Sequence, residues 1–178
     1  AVSPDIYYII LDGYARADVL GQYYGFDNSE FLDGLRQRGF EISENSFANY
    51  NWTFLSLGSS LNYQYIQDLL ADRLDPGSKD RGAVYDLIRR NAAARFLRQR
   101  GYRFVHLQST WGATRENPFA DVQVRCHGGV FDDELYRVIA EASWLRILGS
   151  RATIDLAQCH LSNFESLGGM GRQPGPKF

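Results

Sequence analysis

The chain has 178 residues, of which 44% are hydrophobic and 14% are aromatic, and this composition is sufficient for one packed globular domain. Its 19 basic and 21 acidic residues give a formal charge of -2, so the composition offers no extended basic surface for nucleic acid or an anionic membrane. No apolar run reaches the roughly 20 residues that span a bilayer. The opening residues lack the features of a signal peptide, so we expect a soluble chain, with any anchor or signal upstream of Ala1.

An apolar run at residues 6–11 is the first predicted element. Its β-branched and aromatic composition is typical of a strand that is buried on both faces of a parallel sheet, and Asp12 and Gly13 end it. Asn28 is the predicted N-cap of the next helix, and Gly39 is its C-terminal stop. The elements predicted after the first strand are a helix over 29–38, a strand over 40–47 and helices over 53–62 and 63–74.

Turn residues at 75–78 separate these elements from a second alternation of helix and strand. The elements predicted there are a helix over 83–100 that is interrupted near Asn91, a strand over 102–107, a long ordered loop over 109–129, helices over 132–148 and 154–167, and a Gly/Pro-rich tail over 168–178. The repeated order of strand, helix and strand predicts an α/β fold, with a mostly parallel sheet flanked by helices. Ligand sites in such folds lie at the carboxyl ends of the strands.

Asp12 stands where the first predicted strand ends, so its carboxylate would emerge at the edge of the sheet where ligands bind. An anionic oxygen at that position is a suitable ligand for a divalent cation. On the local pattern alone the turn interpretation is favoured, because Asp-Gly is a common turn pair.

The segment NYNWTFLSLGSSLN, residues 49–62, places several hydroxyl groups at the start of a predicted helix. If Thr53 opens that helix, the free N–H groups and the positive dipole end point toward any anion held there. A metal-bound alkoxide of Thr53 beside Asp12 would be a competent nucleophile. The local pattern alone favours another interpretation, in which Thr53 is an N-cap and the serines form a packing face.

Three blocks of sequence, PDIYYIILDGYAR, NYNWTFLSLGSSLN and GYRFVHLQSTWGATRENPFAD, follow one another and together span most of the chain. In this order they resemble the sulfatase-like hydrolase and transferase group of the alkaline phosphatase superfamily. The resemblance implies an alkaline-phosphatase-like sandwich, with Asp12 as a metal ligand. It also implies that Thr53 binds the metal and becomes phosphorylated after in-line attack. The implied cofactor is a divalent metal, such as Zn, Mn or Mg.

The resemblance also sets limits. Sulfatases carry Cys/Ser-x-Pro-x-Arg where this chain has TFLSL at residues 53–57, so sulfate ester hydrolysis is disfavoured. Family members carry further metal ligands toward the carboxyl end, including an Asp-His pair, and the chain has no matching motif. We therefore expect residues 1–178 to be the amino-terminal part of one sulfatase-like catalytic domain, truncated before those ligands and nearly inactive alone.

The activity implied for the parent protein is hydrolysis of a phosphate ester, or transfer of a phospho-group, through a phosphothreonine intermediate. The substrate would be a phosphate-containing small molecule or a lipid- or glycan-linked phosphate. The protein would act in the periplasm, outside the cell or on the outward face of a membrane, where a segment outside the chain could anchor it. Two alternatives stay open: a non-catalytic α/β domain that binds an anion or a partner, and a sulfatase-type ester hydrolase.

The candidate substrate-binding residues are Arg16, Trp111, Arg115 and Asn117. Arg16 follows Asp12 and could bind a phosphoryl oxygen through its fork geometry, or lie in solvent. The other three lie in the long predicted loop that resembles the family. A substrate-facing role and a loop-stabilising role suit them equally.

Histidine and cysteine residues give weaker signals. His106 lies in an apolar predicted strand and is interpreted as a core residue rather than a substrate contact. Two Cys-His pairs, at 126–127 and 159–160, invite a zinc interpretation, but adjacent residues on one element project apart, so this is disfavoured. The two cysteines do not decide the redox compartment, and their disulfide state stays open.

Overall fold

The computed structural model describes residues 3–71, 73, 79–125, 139, 142–143 and 156–178. Two short strands pair in this part of the chain, β1 at Val105–Leu107 and β2 at Val122–Val124. The helices of the described residues are α1 at Ala17–Tyr24, α2 at Ser29–Gln37, α3 at Thr53–Ser60, α4 at Ile66–Leu69, α5 at Gly82–Arg89, α6 at Ala92–Arg98 and α7 at Leu156–Met170. Helices combined with parallel pairing agree with the predicted α/β class, although this two-stranded sheet is smaller than the predicted sandwich.

The two strands run parallel, with Val105 opposite Val122. Asp121 fixes the start of both strands, because its Oδ2 accepts hydrogen bonds from the Phe104 amide at 2.7 Å and from Arg98 Nε at 3.0 Å. The Arg98 guanidinium also holds the pKa of the Asp121 carboxyl below its usual range. Arg98 belongs to α6, so this carboxylate joins the helix to the sheet.

A segment at 176–178 lies along the other edge of β1. Arg103 and Lys177 form a parallel bridge. Beside it the Val105 amide donates to the Phe178 carbonyl at 2.7 Å, and the Phe178 amide donates to the Arg103 carbonyl at 2.9 Å. On the far side, the Ile6 amide donates to the Lys177 carbonyl at 2.8 Å. The backbone ladder thus runs from Ile6 through Lys177 and β1 to β2.

The packed core lies around α3 and α5. Gly58 allows a close approach, because a Cβ there would lie 3.0 Å from Ile66 Cδ1 and 3.1 Å from Val84 Cγ1. The buried residues that form the core clusters are Leu57, Ile66, Leu70, Val84, Ile88 and Ala113. Val84 and Ile88 lie about one helical turn apart on α5 and pack with residues of α3, and their burial holds the two helices together.

Asn62 connects three helices through one buried side chain. Its Nδ2 donates to the Gly58 carbonyl at 2.8 Å and to the Leu87 carbonyl at 3.0 Å, and its Oδ1 accepts from the Ala92 amide at 2.9 Å. These groups lie on or directly after the ends of helices, where backbone donors and acceptors lack helical partners. The side chain therefore satisfies groups that burial would otherwise leave unpaired.

Two predicted strands are wrong. Residues 6–11 form no strand, and their side chains are 37 to 53% exposed. The ladder reaches this segment only at Ile6, and an apolar sequence cannot form a buried strand without neighbours on both edges. Residues 40–47 also form no strand, and Phe40 and Phe47 are exposed.

The helix predictions for 29–38, 53–62 and 83–100 are confirmed with small shifts in their ends. Asn91 interrupts the last of these as predicted, since its Oδ1 caps α6 by accepting from the Ala94 amide at 2.7 Å. The predicted helix over 154–167 is seen as α7, which continues to Met170.

Other element boundaries were not predicted correctly. Helix α1 was missed, and the helix over 63–74 is shortened to α4 in the described residues, because Tyr63 adopts a left-handed φ of 58°. The predicted strand over 102–107 is shortened to β1, and β2 lies inside the predicted loop over 109–129. The turn at 75–78 and most of the helix over 132–148 lie outside the described residues.

Candidate functional site

Asp12 and Thr53 are in direct contact. The Thr53 hydroxyl donates a hydrogen bond to Asp12 Oδ1, and the two oxygens lie 3.2 Å apart. Asp12 is exposed and Thr53 is half-buried. Tertiary structure therefore brings together two candidate residues that lie 41 positions apart in the sequence.

A tight turn presents Asp12. The Tyr14 amide donates to the Leu11 carbonyl at 3.1 Å, and Gly13 has a φ of 77°. This left-handed conformation strains residues that carry a Cβ, so glycine suits the position. The turn thus leaves the Asp12 carboxylate exposed beside the start of α3.

Thr53 is the first residue of α3, and Trp52 is the N-cap. The Ser56 amide donates to the Trp52 carbonyl at 3.0 Å, which is the first bond of the helix. The interpretation of Thr53 as the N-cap is therefore wrong. Trp52 provides no side-chain cap, and the first amides of a helix lack intrahelical acceptors. The positive end of α3 therefore lies beside the Asp12 carboxylate.

The oxygens of Asp12 and Thr53 fit neighbouring positions around one divalent cation. At metal–oxygen distances of about 2.1 Å, adjacent ligands of an octahedral cation lie about 3 Å apart. The observed separation of 3.2 Å is close to this value. Within the described part of the chain, no group of three or more His, Cys, Asp or Glu side chains could hold a metal ion. A cation at this position would therefore need further donors beyond these two oxygens.

Asp12 and Thr53 share the lining of a cleft of about 790 Å³. One wall is the extended segment at 6–14, and β1 contributes another. Apolar side chains from α3, α7 and their surroundings complete the lining, including Leu57, Leu61, Phe104, Phe164, Leu167 and Met170. The site is thus a polar pair within a largely apolar cleft, an arrangement typical of ligand sites.

The Arg16 guanidinium forms hydrogen bonds with neighbouring residues. Its Nε and one terminal nitrogen donate to the two carboxylate oxygens of Asp18 at 2.9 and 2.8 Å, and the other donates to the Ser46 carbonyl at 3.1 Å. The guanidinium also lies 4.4 Å from the centre of the Phe47 ring. The hydrogen bonds from Arg16 lower the pKa of the Asp18 carboxyl. The contacts with Ser46 and Phe47 connect the start of α1 to residues 46–47.

Trp111 lies in the cleft lining and also packs against the core. Its ring centre is 5.7 Å from that of Tyr85, in an edge-to-face arrangement. Arg115 lies in the same loop and is half-buried. Of the loop candidates, Trp111 and Asn117 line the cleft, and Trp111 also packs against the core.

Asn117 is buried and organises the loop. Its backbone N–H donates to Gln123 Oε1 at 2.9 Å. In its side chain, Nδ2 donates to the Arg89 carbonyl at 3.2 Å, and Oδ1 accepts from the Phe119 amide at 3.0 Å. These bonds tie the loop to β2 and to the end of α5. They agree with the loop-stabilising role considered from the sequence, and Asn117 also lines the cleft.

The His106 side chain has a hydrogen-bond partner within the fold. Its Nε2 lies 2.8 Å from the Thr114 carbonyl, so the neutral tautomer that carries the proton on Nε2 donates this bond. Burial lowers the pKa of His106, and the hydrogen bond to Thr114 opposes the shift only in part. The hydrogen bond agrees with the interpretation that the His106 side chain is satisfied within the fold, but His106 is half-buried and also lines the cleft, so its place in the core is not shown.

The second Cys-His pair is not arranged as a zinc site. Cys159 is fully buried and takes part in a disulfide, so its sulfur is not a thiolate ligand. His160 is exposed. The other pair, at 126–127, lies outside the described residues.

Arg81 is a neighbour of the site that sequence reasoning missed. Its guanidinium lies 4.9 Å from the ring centre of Phe54 and 5.8 Å from that of Trp52, the two residues that flank Thr53. Arg81 precedes α5 by one position, and no motif in the sequence connects it to Thr53. Only the packing of α3 and α5 places this cation against the two rings.

Comparison of the chain with protein-family models, with curated proteins and with solved structures gave no match. Among the described helices, none combines the length and apolarity needed to cross a bilayer.

Proposed function

We propose that the chain is part of a metal-dependent phosphate-ester hydrolase or phospho-group transferase in which Thr53 is the nucleophile and Asp12 is a metal ligand. The observation that carries this proposal is the 3.2 Å contact between Thr53 Oγ1 and Asp12 Oδ1. The sequence resemblance to the sulfatase-like group, stated above, supports the same two roles. Trp111 lines the same cleft, and we propose that it contacts the substrate there.

The start of α3 supports binding of a phosphate group. The first amides of the helix lack intrahelical acceptors, and the positive end of the helix dipole favours an anion beside Thr53. Arg81 adds a cation against the rings of Trp52 and Phe54. A phosphoryl group held at Thr53 would therefore meet hydrogen-bond donors and positive charge rather than an apolar wall.

Asp12 supplies the negative oxygen that a divalent metal requires. When bound, such a metal lowers the pKa of a coordinated hydroxyl and neutralises charge on phosphoryl oxygens. Asp12 holds the Thr53 hydroxyl in a fixed direction by accepting its hydrogen bond. With two oxygens of the protein in place, we expect the chain alone to bind the metal weakly and to react slowly.

The test is formation of phosphothreonine. The chain is incubated with an aryl phosphate monoester in the presence of Zn²⁺, Mn²⁺ or Mg²⁺, and intact mass and peptide mapping are recorded. We expect one added phosphoryl group, located on Thr53 and absent from Thr53→Ala. Ser56→Ala is the matched control, because it removes another hydroxyl of α3 and should leave the modification unchanged.

Metal binding gives an independent measurement. By calorimetry, Asp12→Asn should weaken binding of the same ions by about tenfold or more, which corresponds to about 1.4 kcal/mol. A phosphoryl group that still forms on the Thr53→Ala variant would contradict the assignment of Thr53 as the nucleophile. An unchanged metal affinity of the Asp12→Asn variant would contradict the assignment of Asp12 as a metal ligand.

A second function is favoured by one observation. The described residues contain no cluster of three or more metal-ligating side chains, and this suits a non-catalytic domain that binds an anion in the same cleft. In that case inorganic phosphate would bind equally well with and without Mg²⁺, and no covalent product would form.

We also propose that the parent protein acts outside the cytoplasm. The disulfide at Cys159 supports this location, because structural disulfides persist in oxidising compartments such as the periplasm and the cell exterior. Thiol labelling of the unfolded protein without reductant tests the disulfide, because Cys159 is buried in the folded chain, and ready labelling of Cys159 would remove this support for the location.

A further inference from the structure

The first turn of α3 carries Thr53 and is weakly closed at its start. Trp52 is the N-cap, and its side chain makes no capping hydrogen bond to the helix. The turn is closed by the bond from the Ser56 amide to the Trp52 carbonyl at 3.0 Å. Helix ends whose amides lack a cap fray more readily than helix interiors. The place of the Thr53 hydroxyl therefore depends on other contacts that hold this turn.

Arg81 lies across the two rings that flank Thr53. Its guanidinium carbon is 4.9 Å from the Phe54 ring centre and 5.8 Å from the Trp52 ring centre, and the two ring centres are 6.1 Å apart. The face of an aromatic ring attracts a cation at such distances, and a planar guanidinium also packs on it. Among the described residues, three other arginines each lie over one ring. Arg81 thus joins the residue before Thr53 to the residue after it.

The position of Arg81 is fixed by α5. Its carbonyl accepts the first hydrogen bond of that helix, from the Tyr85 amide at 2.9 Å. The Tyr85 ring meets Phe54 edge to face, with ring centres 6.3 Å apart, and Phe54 packs against both core clusters. The stack of Arg81, Trp52 and Phe54 therefore ties the start of α3 to the start of α5.

We propose that Arg81 is a positioning residue for Thr53, because it holds the first turn of α3 through the rings of Trp52 and Phe54. Arg81 and both rings lie outside the lining of the cleft that contains Thr53. Arg81 therefore acts on the hydroxyl through the turn and not by contact with a ligand in the cleft. The effect on catalysis rests on the proposed function, whereas the effect on the turn does not.

Three variants separate this role from a general loss of stability. Arg81→Gln removes the charge that the rings attract, and Arg81→Lys keeps it. Arg100→Gln is the matched control, since Arg100 lies 3.5 Å from the ring centre of Phe96 and far from α3 in the chain. Arg81 and Arg100 are both exposed, so we expect all three variants to fold.

Hydrogen exchange measured by NMR tests the turn directly. We expect the Ser56 amide to exchange faster by about threefold or more in Arg81→Gln, and at close to the wild-type rate in Arg81→Lys and Arg100→Gln. The Ile88 amide, in the buried part of α5, reports opening of the whole fold. Unchanged exchange at Ser56 in Arg81→Gln, or an equal rise at Ser56 and Ile88, would overturn the proposal.

The rate of phosphothreonine formation tests the consequence for Thr53. With an aryl phosphate monoester and a divalent metal, we expect this rate to fall by about threefold or more in Arg81→Gln and to recover in Arg81→Lys. A lower rate without faster Ser56 exchange would place the effect of Arg81 on the phosphate itself and would overturn the positioning role. An unchanged rate in Arg81→Gln would overturn it as well.

The two measurements also separate this proposal from the proposed function. Absence of phosphothreonine in the wild type under all metals would contradict the proposed function. Exchange at Ser56 would then decide by itself whether Arg81 holds the first turn of α3, since that measurement needs neither metal nor substrate.

Discussion

Thr53 holds its hydroxyl toward Asp12 through one hydrogen bond of 3.2 Å. Its β-branched side chain has few rotamers, so the hydroxyl direction is restricted more than that of a serine would be. Thr53 therefore has an exposed carboxylate, that of Asp12, as its hydrogen-bond partner, and its hydroxyl has a restricted direction. This is the scale at which the proposed chemistry can be tested by substitution, as set out above.

His106 provides a pH-dependent prediction at the same scale. Burial lowers its pKa from the ordinary value of 6.5, so the unfolded chain binds a proton at higher pH than the folded chain does. Stability should therefore fall as the pH decreases below 6.5, by at most about 1.4 kcal/mol per pH unit. In His106→Gln, which can still donate to the Thr114 carbonyl, this loss should be absent.

Urea unfolding at a series of pH values between neutral and mildly acidic measures the effect. His160→Gln is the matched control, since it makes the same replacement at an exposed position. An identical acid-induced loss of stability in the wild type and in His106→Gln would show that the folded chain accommodates the His106 proton without penalty.

At the scale of elements, α3 and α5 depend on Gly58. A Cβ at this position would approach Ile66 Cδ1 to 3.0 Å and Val84 Cγ1 to 3.1 Å, and Val84 is buried with a stiff side chain. We expect Gly58→Val to destabilise the chain by about 1–3 kcal/mol, because the two helices would have to separate. Chemical denaturation measures the change.

Gly168→Val serves as the comparison, because Gly168 also lies in a helix but has no atom near its Cβ position. It reports the helix propensity of valine without the overpacking. Equal unfolding free energies for the two variants would mean that α3 and α5 are not in close contact in solution.

At the scale of the whole molecule, Asp5 and Lys177 join distant parts of the chain. Asp5 Oδ1 accepts from the Lys177 amide at 2.9 Å and lies 3.2 Å from the Lys177 ammonium, which is buried. The Lys177 backbone hydrogen bond holds the pKa of Asp5 below the ordinary value of 3.8. The stabilisation from this carboxylate is therefore present above pH 3.8 and is lost as the pH falls below it.

We expect Asp5→Asn to lower the Tm at neutral pH by a few degrees, because it leaves the buried Lys177 ammonium without its carboxylate partner. The difference from the wild type should shrink below pH 3.8, where Asp5 itself becomes protonated. Asp33→Asn is the control, since that carboxylate is exposed. A Tm difference that is constant from neutral to acidic pH would contradict the role of the Asp5 charge.

Local sequence patterns predicted most of the described helices of the core. Helix α3, the break at Asn91 and the turn at Asp12 follow from short-range rules of capping, periodicity and turn preference. The failures at 6–11 and 40–47 have a common cause. A strand is stable only when a neighbour satisfies its backbone, and apolar composition carries no information about whether that neighbour is in place.

By itself, the sequence determined the mixed α/β class at a coarse level, the helix that begins at Thr53 and the two residues of the candidate site. Tertiary structure alone decided that Asp12 and Thr53 meet, that Arg81 lies against the rings beside them, and that Arg16 turns to Asp18 and Ser46. It also decided that the segment at 6–11 lies beside an open cleft. The physical reason is range: helices and turns depend on neighbours within a few residues, whereas a site and a sheet depend on contacts between residues that are far apart in the chain.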